Sequence, residues 1–220
     1  MLIKLENIQK TYGKKALATH ALNGISLEIE EGEMLAVMGV SGSGKSTLLN
    51  ILGCLDKPTD GRYFLRGKDI TTYTAKQMAK LRNETFGFVL QDFALIERYT
   101  VAQNVMIPLR YSKKYTSGRE KRVDEILQQL DIYNKKNQIS LRLSGGQRQR
   151  VAIGRAIVNE AEILLCDEPT GALDSKTAKE IMHIFKELNA KGKTIIIVTH
   201  DKEIAGQCER IIEISDGKII

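Results

Sequence analysis

The chain has 220 residues, 42% of them hydrophobic and 27% charged, which is the composition of an ordinary globular protein. No apolar run approaches the roughly 20 residues needed to cross a bilayer. The N-terminus, MLIKLENIQK, lacks the apolar segment and cleavage site of a secretory signal, so we expect an intracellular protein. The three cysteines, Cys54, Cys166 and Cys208, form no CxxC pair, which excludes a disulfide scaffold and a zinc knuckle.

The positive charge is concentrated in one segment of the chain. Residues 110–136 hold eight Lys or Arg against four Asp or Glu, a net charge of +4 out of a total of +6. Such a segment is either a solvated surface, a nucleic-acid contact or a contact with the inner face of a membrane. The segment has no RNA-reading motif, so the membrane is favoured over nucleic acid.

Apolar patterns along the chain predict alternating strands and helices. In chain order, the predicted strands cover residues 3–8, 33–38, 63–65, 86–90, 163–166, 194–199, 211–214 and 218–220. Helices are predicted over 45–55, around 123–130, after Gly145-Gly146 and around 181–188. Asp60-Gly61 is predicted to form a turn, and His20 to lie in a loop. The order predicts an α/β core with a helical insertion over roughly 90–160.

A glycine-rich segment follows the predicted strand 33–38. Residues 39–46, GVSGSGKS, match the pattern G-x(4)-G-K-[ST]. Glycines let backbone N–H groups turn towards phosphate oxygens, and the N-terminus of the following helix favours the same negative charge. Lys45 supplies a cation for the β- and γ-phosphates, and the Ser46 hydroxyl is a natural Mg²⁺ ligand. The pattern predicts a nucleotide-binding phosphate loop.

Two carboxylates and a histidine follow later buried strands. Asp167 and Glu168 end the apolar run 163–166, at the end of a strand where ligands bind in open α/β sheets. Asp167 is predicted to hold Mg²⁺ through its water shell, and Glu168 to accept a proton from the attacking water. His200 follows the apolar run 195–199 and could contact a γ-phosphate, although a lone histidine is more often structural.

Residues 143–147, LSGGQ, complete a set of motifs that resembles the ATP-binding-cassette family over essentially all 220 residues. Residues 43–59, 167–174 and 198–201 are most similar to the MacB-type and lipoprotein-release (LolD-like) exporter cassettes of that family. The resemblance implies an α/β fold, a P-loop NTPase core of ABC-ATPase type with an antiparallel β subdomain and an inserted α-helical subdomain. It implies one domain, with the core in 1–90 and 160–220 and the helical subdomain in 91–159.

The resemblance also assigns roles to residues. Tyr12 would stack on adenine, Gln91 would contact Mg²⁺, and Asp174 would bridge two protomers. Ser144, Gly145 and Gly146 would hold the γ-phosphate bound to the opposite protomer. The implied catalytic residues are Lys45, Glu168 and His200, and the implied metal ligands are Ser46, Gln91 and Asp167. The implied nucleotide-binding residues are Tyr12, Gly39, Val40, Ser41, Gly42, Ser43, Gly44, Lys45, Ser46, Thr47, Gln91, Ser144, Gly145, Gly146, Gln147 and Asp174.

The function implied is that of an ATP-binding and ATP-hydrolysing subunit with ATP and Mg²⁺ as cofactors. Two copies would sandwich ATP in a homodimer on the inner, cytoplasmic face of the cell membrane. They would power export or extraction of an antimicrobial peptide, macrolide-type drug or lipoprotein through a separate transmembrane permease subunit. The alternatives are a soluble ABC ATPase acting on nucleic acid or ribosomes, and a division-linked cassette. The chain lacks the additions typical of the nucleic-acid class, so no nucleic acid is expected.

Overall fold

The computed structural model describes residues 1–13 and 18–220. The strands in chain order are β1 (Ile3–Tyr12), β2 (Thr19–Ile29), β3 (Met34–Met38), β4 (Asp60–Leu65), β5 (Lys68–Asp69), β6 (Phe86–Val89), β7 (Ile163–Asp167), β8 (Thr194–Val198), β9 (Arg210–Ser215) and β10 (Lys218–Ile219). The helices are α1 (Lys45–Leu52), α2 (Ala75–Thr85), α3 (Val101–Arg110), α4 (Arg119–Gln129), α5 (Gly145–Ile157), α6 (Ser175–Ala190) and α7 (Lys202–Ala205). The chain forms two compact units, the first from residues 1–82 and 194–220 and the second from residues 83–193.

The first unit contains two sets of paired strands. An antiparallel sheet has the order β2-β1-β4-β5, and β3 pairs in parallel with both β8 and β9, while β10 closes a hairpin on β9. All five residues of β8 and four of the five in β3 are buried. Such continuous apolar runs are typical of parallel strands covered on both faces, and they place the core of this unit around β3 and β8.

The second unit combines a parallel strand pair with four helices. β6 pairs with β7, and α5 lies against β6 so closely that a Cβ at Gly87 would be 2.4 Å from the carbonyl oxygen of Ala156. In α4, the buried side chains are Val123, Ile126 and Leu127, the apolar stripe that the sequence predicts. None of the helices in the described residues is long and apolar enough to span a bilayer.

Each predicted strand and helix has a counterpart in the structure, but two local predictions are wrong. His20 lies in β2 and not in a loop, with Nδ1 3.0 Å from Oγ1 of Thr11 on the paired strand. Asp60-Gly61 begins β4, and the reversal occurs instead at Arg66-Gly67, where both residues have positive φ. A Cβ at Gly61 would lie 2.5 Å from the carbonyl oxygen of Asn7, so this glycine permits close approach of β1.

The boundaries of the predicted helical subdomain, 91 and 159, differ from those of the second compact unit, because β6 and β7 belong to that unit. The division of the chain into a nucleotide-binding core and a helical subdomain at these boundaries therefore stays a prediction. Helix α1 ends at Leu52, three residues before the predicted end, because Gly53 caps it and Cys54 adopts a φ of 56°.

Candidate functional site

The phosphate loop joins β3 to α1 in the first unit. Gly39, Gly42 and Gly44 have φ values of 149°, 80° and 107°, which L side chains rarely adopt. A Cβ at Gly39 would lie 2.2 Å from the carbonyl oxygen of Ile214, and one at Gly44 would lie 2.5 Å from that of Ala21. Close approach of neighbouring backbone therefore adds a steric requirement for glycine at both ends of the loop.

Two side chains of the loop face its interior. Lys45 Nζ donates hydrogen bonds of 2.8 and 2.7 Å to the carbonyl oxygens of Gly39 and Val40. The side chain of Ser43 is buried, and its Oγ has no hydrogen-bond partner within the described residues. No side chain in the described chain caps the first turn of α1, so its amide groups are available to an anion. Together, a cation, a hydroxyl and helix amides form a site suited to phosphate.

Tyr12 is at the end of β1 in the same unit. Its hydroxyl donates a 2.8 Å hydrogen bond to Asp56, and Lys10 Nζ lies 4.8 Å from the centre of its ring. Burial, followed by the hydrogen bond to Asp56, raises the pKa of the Tyr12 phenol, and a hydrogen bond with Thr47 of α1 acts in the opposite direction. Tyr12 is 41% exposed, so this aromatic residue is accessible close to the phosphate-loop helix.

His200 is an exposed residue just after β8. The amide of the preceding Thr199 donates a 3.1 Å hydrogen bond to the carbonyl of Val37 in β3. Because β3 and β8 are parallel, their carboxyl ends lie at one edge of the sheet, where β3 also leads into the phosphate loop. The structure therefore places His200 and the phosphate loop at the same sheet edge.

In the second unit, β7 ends at Asp167 and leads into a strained turn. Glu168 has a φ of 44°, an unusual conformation for a residue with a side chain, and the amide of Gly171 donates a 3.1 Å hydrogen bond to its carbonyl. A Cβ on Gly171 would lie 3.6 Å from both Nε2 of Gln91 and Cβ of Glu168. The turn thus brings Gln91, which follows β6, close to the predicted general base.

Residues 144–147 of the LSGGQ motif, called the signature residues, form the beginning of α5. The Ser144 hydroxyl accepts a 3.4 Å hydrogen bond from the amide of Gln147, and the Gln147 side chain accepts one of 3.1 Å from the amide of Ser144. This capping box fixes the helix start. A Cβ on Gly146 would lie 2.5 Å from Cγ2 of Thr177 in α6, so a side chain at this position would collide with the neighbouring helix.

Asp174 caps the N-terminus of α6. Its carboxylate accepts hydrogen bonds from the amides of Lys176 and Thr177, at 3.1 and 3.0 Å, and from the Thr177 hydroxyl at 2.6 Å. The Thr177 hydroxyl and the helix amides lower the pKa of this carboxyl. The side chain that the resemblance assigns to a protomer interface therefore also has a role within its own chain.

Two residues outside the motifs contact this part of the second unit, and both lie in α5. Gln149 donates to the carbonyl oxygen of Pro169, next to Glu168, and Arg155 donates to the carbonyl oxygens of Phe93 and Ala94 in the segment after Gln91. Burial lowers the pKa of Arg155. A glutamine and an arginine in an amphipathic helix give no sequence signal, because such residues usually face solvent.

The described residues are chemically suited to ATP and Mg²⁺. The phosphate loop offers a glycine cradle and a buried hydroxyl that has no partner among the described residues. The side chains assigned to the metal, Ser46, Gln91 and Asp167, carry oxygen donors, which Mg²⁺ prefers. No cluster of three or more His, Cys, Asp or Glu side chains suited to a metal occurs in the described ranges. Mg²⁺ commonly binds through one or two carboxylates together with substrate phosphates and water, and a larger cluster is not required.

Comparison with known proteins identifies the family of the chain. Residues 22–171 match the family described as ABC transporter. The macrolide export ATP-binding/permease protein MacB of Hyphomonas neptunium is 46% identical over 219 residues, which is 100% of this chain and 34% of MacB. The chain thus spans about a third of the length of such curated relatives.

Solved structures extend the likeness to the fold. The dimeric structure of MJ0796, a bacterial ABC transporter cassette, is 45% identical with a TM-score of 0.91, and the match covers 99% of this chain and 96% of that one. A dimeric post-hydrolysis state of MJ0796 bound to ADP and Pi matches with 44% identity and a TM-score of 0.91, over 99% of this chain and 96% of that one. The P-loop NTPase fold of ABC-ATPase type that the sequence implies is thereby confirmed, and the chain belongs to the ABC transporter family.

Proposed function

We propose that the chain binds and hydrolyses ATP to power an exporter similar to MacB, in concert with a transmembrane permease. The observation that carries the proposal is the phosphate loop, in which glycine geometry, Lys45 and the uncapped start of α1 form a binding site for phosphates. Export is the activity in the name of the relatives, and the cargo proposed is a peptide, a macrolide-type drug or a lipoprotein.

Each side chain has a distinct proposed role in binding. Tyr12 stacks on adenine, Lys45 moves from the loop carbonyls to the β- and γ-phosphates, and the backbone of residues 39–47 surrounds them. Ser46, Gln91 and Asp167 hold Mg²⁺ directly or through water, and the ion neutralises phosphate charge when bound. His200 contacts the γ-phosphate, which its position at the sheet edge with the phosphate loop supports.

Glu168 is the proposed general base. Its carboxylate accepts a proton from the water that attacks the γ-phosphate, a role that typically accelerates a reaction by 10² to 10⁴. Gln91 is proposed to hold that water or the metal, which the closeness of its amide to the same turn supports. The products are ADP and phosphate, the two species bound in the post-hydrolysis state of MJ0796.

Two copies of the chain are proposed to close head to tail over ATP. In this arrangement, Ser144, Gly145 and Gly146 of one copy hold the γ-phosphate bound to the loop of the other, and Asp174 contributes to the interface. The dimeric cassette structures support this proposal. ADP lacks the γ-phosphate, so hydrolysis removes the contact that favours closure, and the dimer reopens.

A Glu168→Gln variant tests this function. We expect ATP hydrolysis to fall by about 100-fold or more, because the amide cannot accept the proton, while ATP affinity stays within about twofold. Light scattering should show a dimer with ATP and a monomer with ADP. Glu187→Gln, in an exposed residue of α6 that pairs with His183, is the control and should hydrolyse ATP normally. Hydrolysis by Glu168→Gln at the wild-type rate would exclude the general base, and the absence of an ATP-dependent dimer would exclude the sandwich.

The inner face of the cell membrane is the proposed location, and residues 110–136 are the proposed contact with it. Arg110, Lys113 and Lys121 are exposed and have no ion pair within residues 1–13 and 18–220, and Tyr111 is 76% exposed beside them. Basic and aromatic side chains of this kind suit anionic lipid headgroups. In sedimentation with phosphatidylglycerol vesicles, Arg110→Gln combined with Lys113→Gln should weaken binding, and binding should be lost in high salt. Equal binding to neutral phosphatidylcholine vesicles would contradict this contact.

A further inference from the structure

A glutamine in the interior of the second unit contacts the turn that carries Glu168. Gln149 lies in the second turn of α5, and 0% of its surface is exposed. Its Nε2 donates a 2.6 Å hydrogen bond to the carbonyl oxygen of Pro169, which directly follows Glu168. The two residues are 20 positions apart, so this bond links a helix and a turn that are separate in the chain.

The turn needs such support because its backbone is strained. Glu168 has a φ of 44°, and a residue with a side chain remains in this conformation only where its surroundings hold it there. The amide of Gly171 closes the turn by donating to the carbonyl of Glu168 at 3.1 Å, and Gln149 fixes the carbonyl of the intervening Pro169. The backbone of the turn that carries Glu168 is therefore held by both bonds.

Fold stability alone does not explain why an amide occupies this buried position. Oε1 of Gln149 has no hydrogen-bond partner within the described residues, and an unpartnered buried polar atom is unfavourable. A hydrocarbon side chain of the same size would avoid that cost, but it would have no donor for Pro169. The donor is thus the property that the amide provides and a hydrocarbon side chain does not.

We propose that Gln149 is a positioning residue that holds Glu168 in the orientation required for proton transfer. The inference rests on the proposed function, in which Glu168 is the general base. Gln149 touches neither ATP nor water in this role, and it acts through the Pro169 carbonyl. Since α5 begins with the signature residues 144–147, the hydrogen bond also ties the position of Glu168 to that helix.

Three variants test the proposal on the full chain. Gln149→Met keeps the length of the side chain and removes the donor, Gln149→His retains a ring N–H at a similar reach, and Gln128→Met makes the same change at an exposed position of α4. We expect Gln149→Met to lower kcat for ATP hydrolysis at least 10-fold, with ATP affinity and KM within about twofold and the cooperative melting transition retained. Gln149→His should keep kcat within a fewfold of wild type, and Gln128→Met should behave as wild type.

Combination with Glu168→Gln separates this inference from the proposed function. If Glu168 is the base and Gln149 orients it, then Gln149→Met adds no further loss in the Glu168→Gln background. A wild-type kcat in Gln149→Met together with an inactive Glu168→Gln variant would overturn the positioning role alone. A fall in kcat that accompanies an equal loss of ATP affinity or of the cooperative melting transition would show a structural role and would also overturn it. Normal hydrolysis by Glu168→Gln would instead overturn the proposed base.

Discussion

Lys45 Nζ donates a 2.8 Å hydrogen bond to the carbonyl oxygen of Gly39, and the same nitrogen lies 2.7 Å from the carbonyl oxygen of Val40. The ammonium group is therefore held by the backbone of the loop that it closes. Both acceptors are neutral carbonyls, and a phosphate offers charged oxygens that form stronger hydrogen bonds with an ammonium group. The geometry keeps the cation inside the loop and leaves it able to exchange partners when phosphate arrives.

Replacement of this lysine tests its contribution to binding. Lys45→Met retains most of the side-chain length but removes the cation, and a hydrogen bond to a charged group contributes about 1.5–3 kcal/mol. We expect ATP affinity to fall by about 10- to 150-fold in a fluorescence titration. The matched control is Lys57→Met, because Lys57 Nζ also donates to a backbone carbonyl, that of Tyr73 at 2.6 Å. Equal loss of affinity in both variants would show that the cation of Lys45 has no special role.

A second prediction concerns the glycine at the start of α1. In Gly44→Ala, the new Cβ meets the carbonyl of Ala21 at 2.5 Å and the residue must keep a φ of 107° or move. Gly67→Ala is the control, since Gly67 has a φ of 73° and, apart from its two neighbours in the chain, no atom of the described residues lies within 4 Å of the added Cβ, so that strain alone applies. That strain is about 1–2 kcal/mol, or a decrease in Tm of about 2–8 °C.

We expect Gly44→Ala to lower Tm by more than the control and to abolish measurable ATP binding, because the loop amides shift as the backbone avoids Ala21. Gly67→Ala should bind ATP normally. Thermal melting with and without ATP measures both effects in one experiment. A Gly44→Ala variant that is stabilised by ATP as strongly as wild type would show that the loop tolerates this displacement.

Continuous apolar runs in strands and apolar side chains at helical spacing are sufficient to predict much of the fold. The runs at 163–166 and 194–198 are buried strands, and α4 and α6 bury the side chains that recur at helical spacing. Helix α2 gives no such pattern, because Met78 is its one buried residue. Helix α3 contains Pro108, which in sequence indicates a helix end, and register shifts in the pairing with β1 interrupt the alternation of β2.

The candidate site is predictable where the chemistry restricts the residue type. Glycines with positive φ, a lysine and consecutive carboxylates leave a pattern in the chain, whereas hydrogen bonds to backbone carbonyls do not. Gln149 and Arg155 act on carbonyls that any residue could supply, at separations of 20 and 62 positions. The positive φ of Glu168 likewise leaves no pattern in the sequence, because it results from the tertiary position of the turn.

The cysteines permit a prediction about thiol reactivity. Cys54 and Cys166 are buried and Cys208 is partly exposed. Burial raises the pKa of Cys54 to about 12, although the nearby Arg82 has the opposite effect. A thiolate is the reactive form, so we expect Ellman's reagent at pH 8 to label at most Cys208 in the folded protein and all three thiols in guanidinium chloride. Rapid labelling of two or more thiols in the folded protein would contradict the burial of these side chains.

The last prediction concerns the cluster that anchors Tyr12. The Asp56 carboxylate accepts hydrogen bonds from Lys10 Nζ at 2.6 Å, from the Tyr12 hydroxyl at 2.8 Å and from the amide of Lys57 at 2.7 Å. Burial by itself would raise the pKa of Asp56, but these three donors and the charge of Lys10 outweigh it, so the pKa is lowered from 3.8. A carboxyl group with a lowered pKa in the folded state stabilises the protein above its unfolded pKa.

Asp56→Asn removes the charge and keeps one acceptor. We expect the free energy of unfolding at pH 7 to fall by roughly 1–2 kcal/mol, because the Lys10 ammonium, with 12% of its side chain exposed, loses its counterion. The difference from wild type should persist down to about pH 4 and then shrink as wild-type Asp56 becomes protonated. Urea unfolding at pH 7, 5 and 3 measures this dependence. The control is Asp60→Asn, in a β4 residue that pairs with no cation among the residues that the structure describes and should show a constant, small difference. A difference for Asp56→Asn that stays the same at all three pH values would show that the charge of Asp56 does not stabilise the cluster around Tyr12.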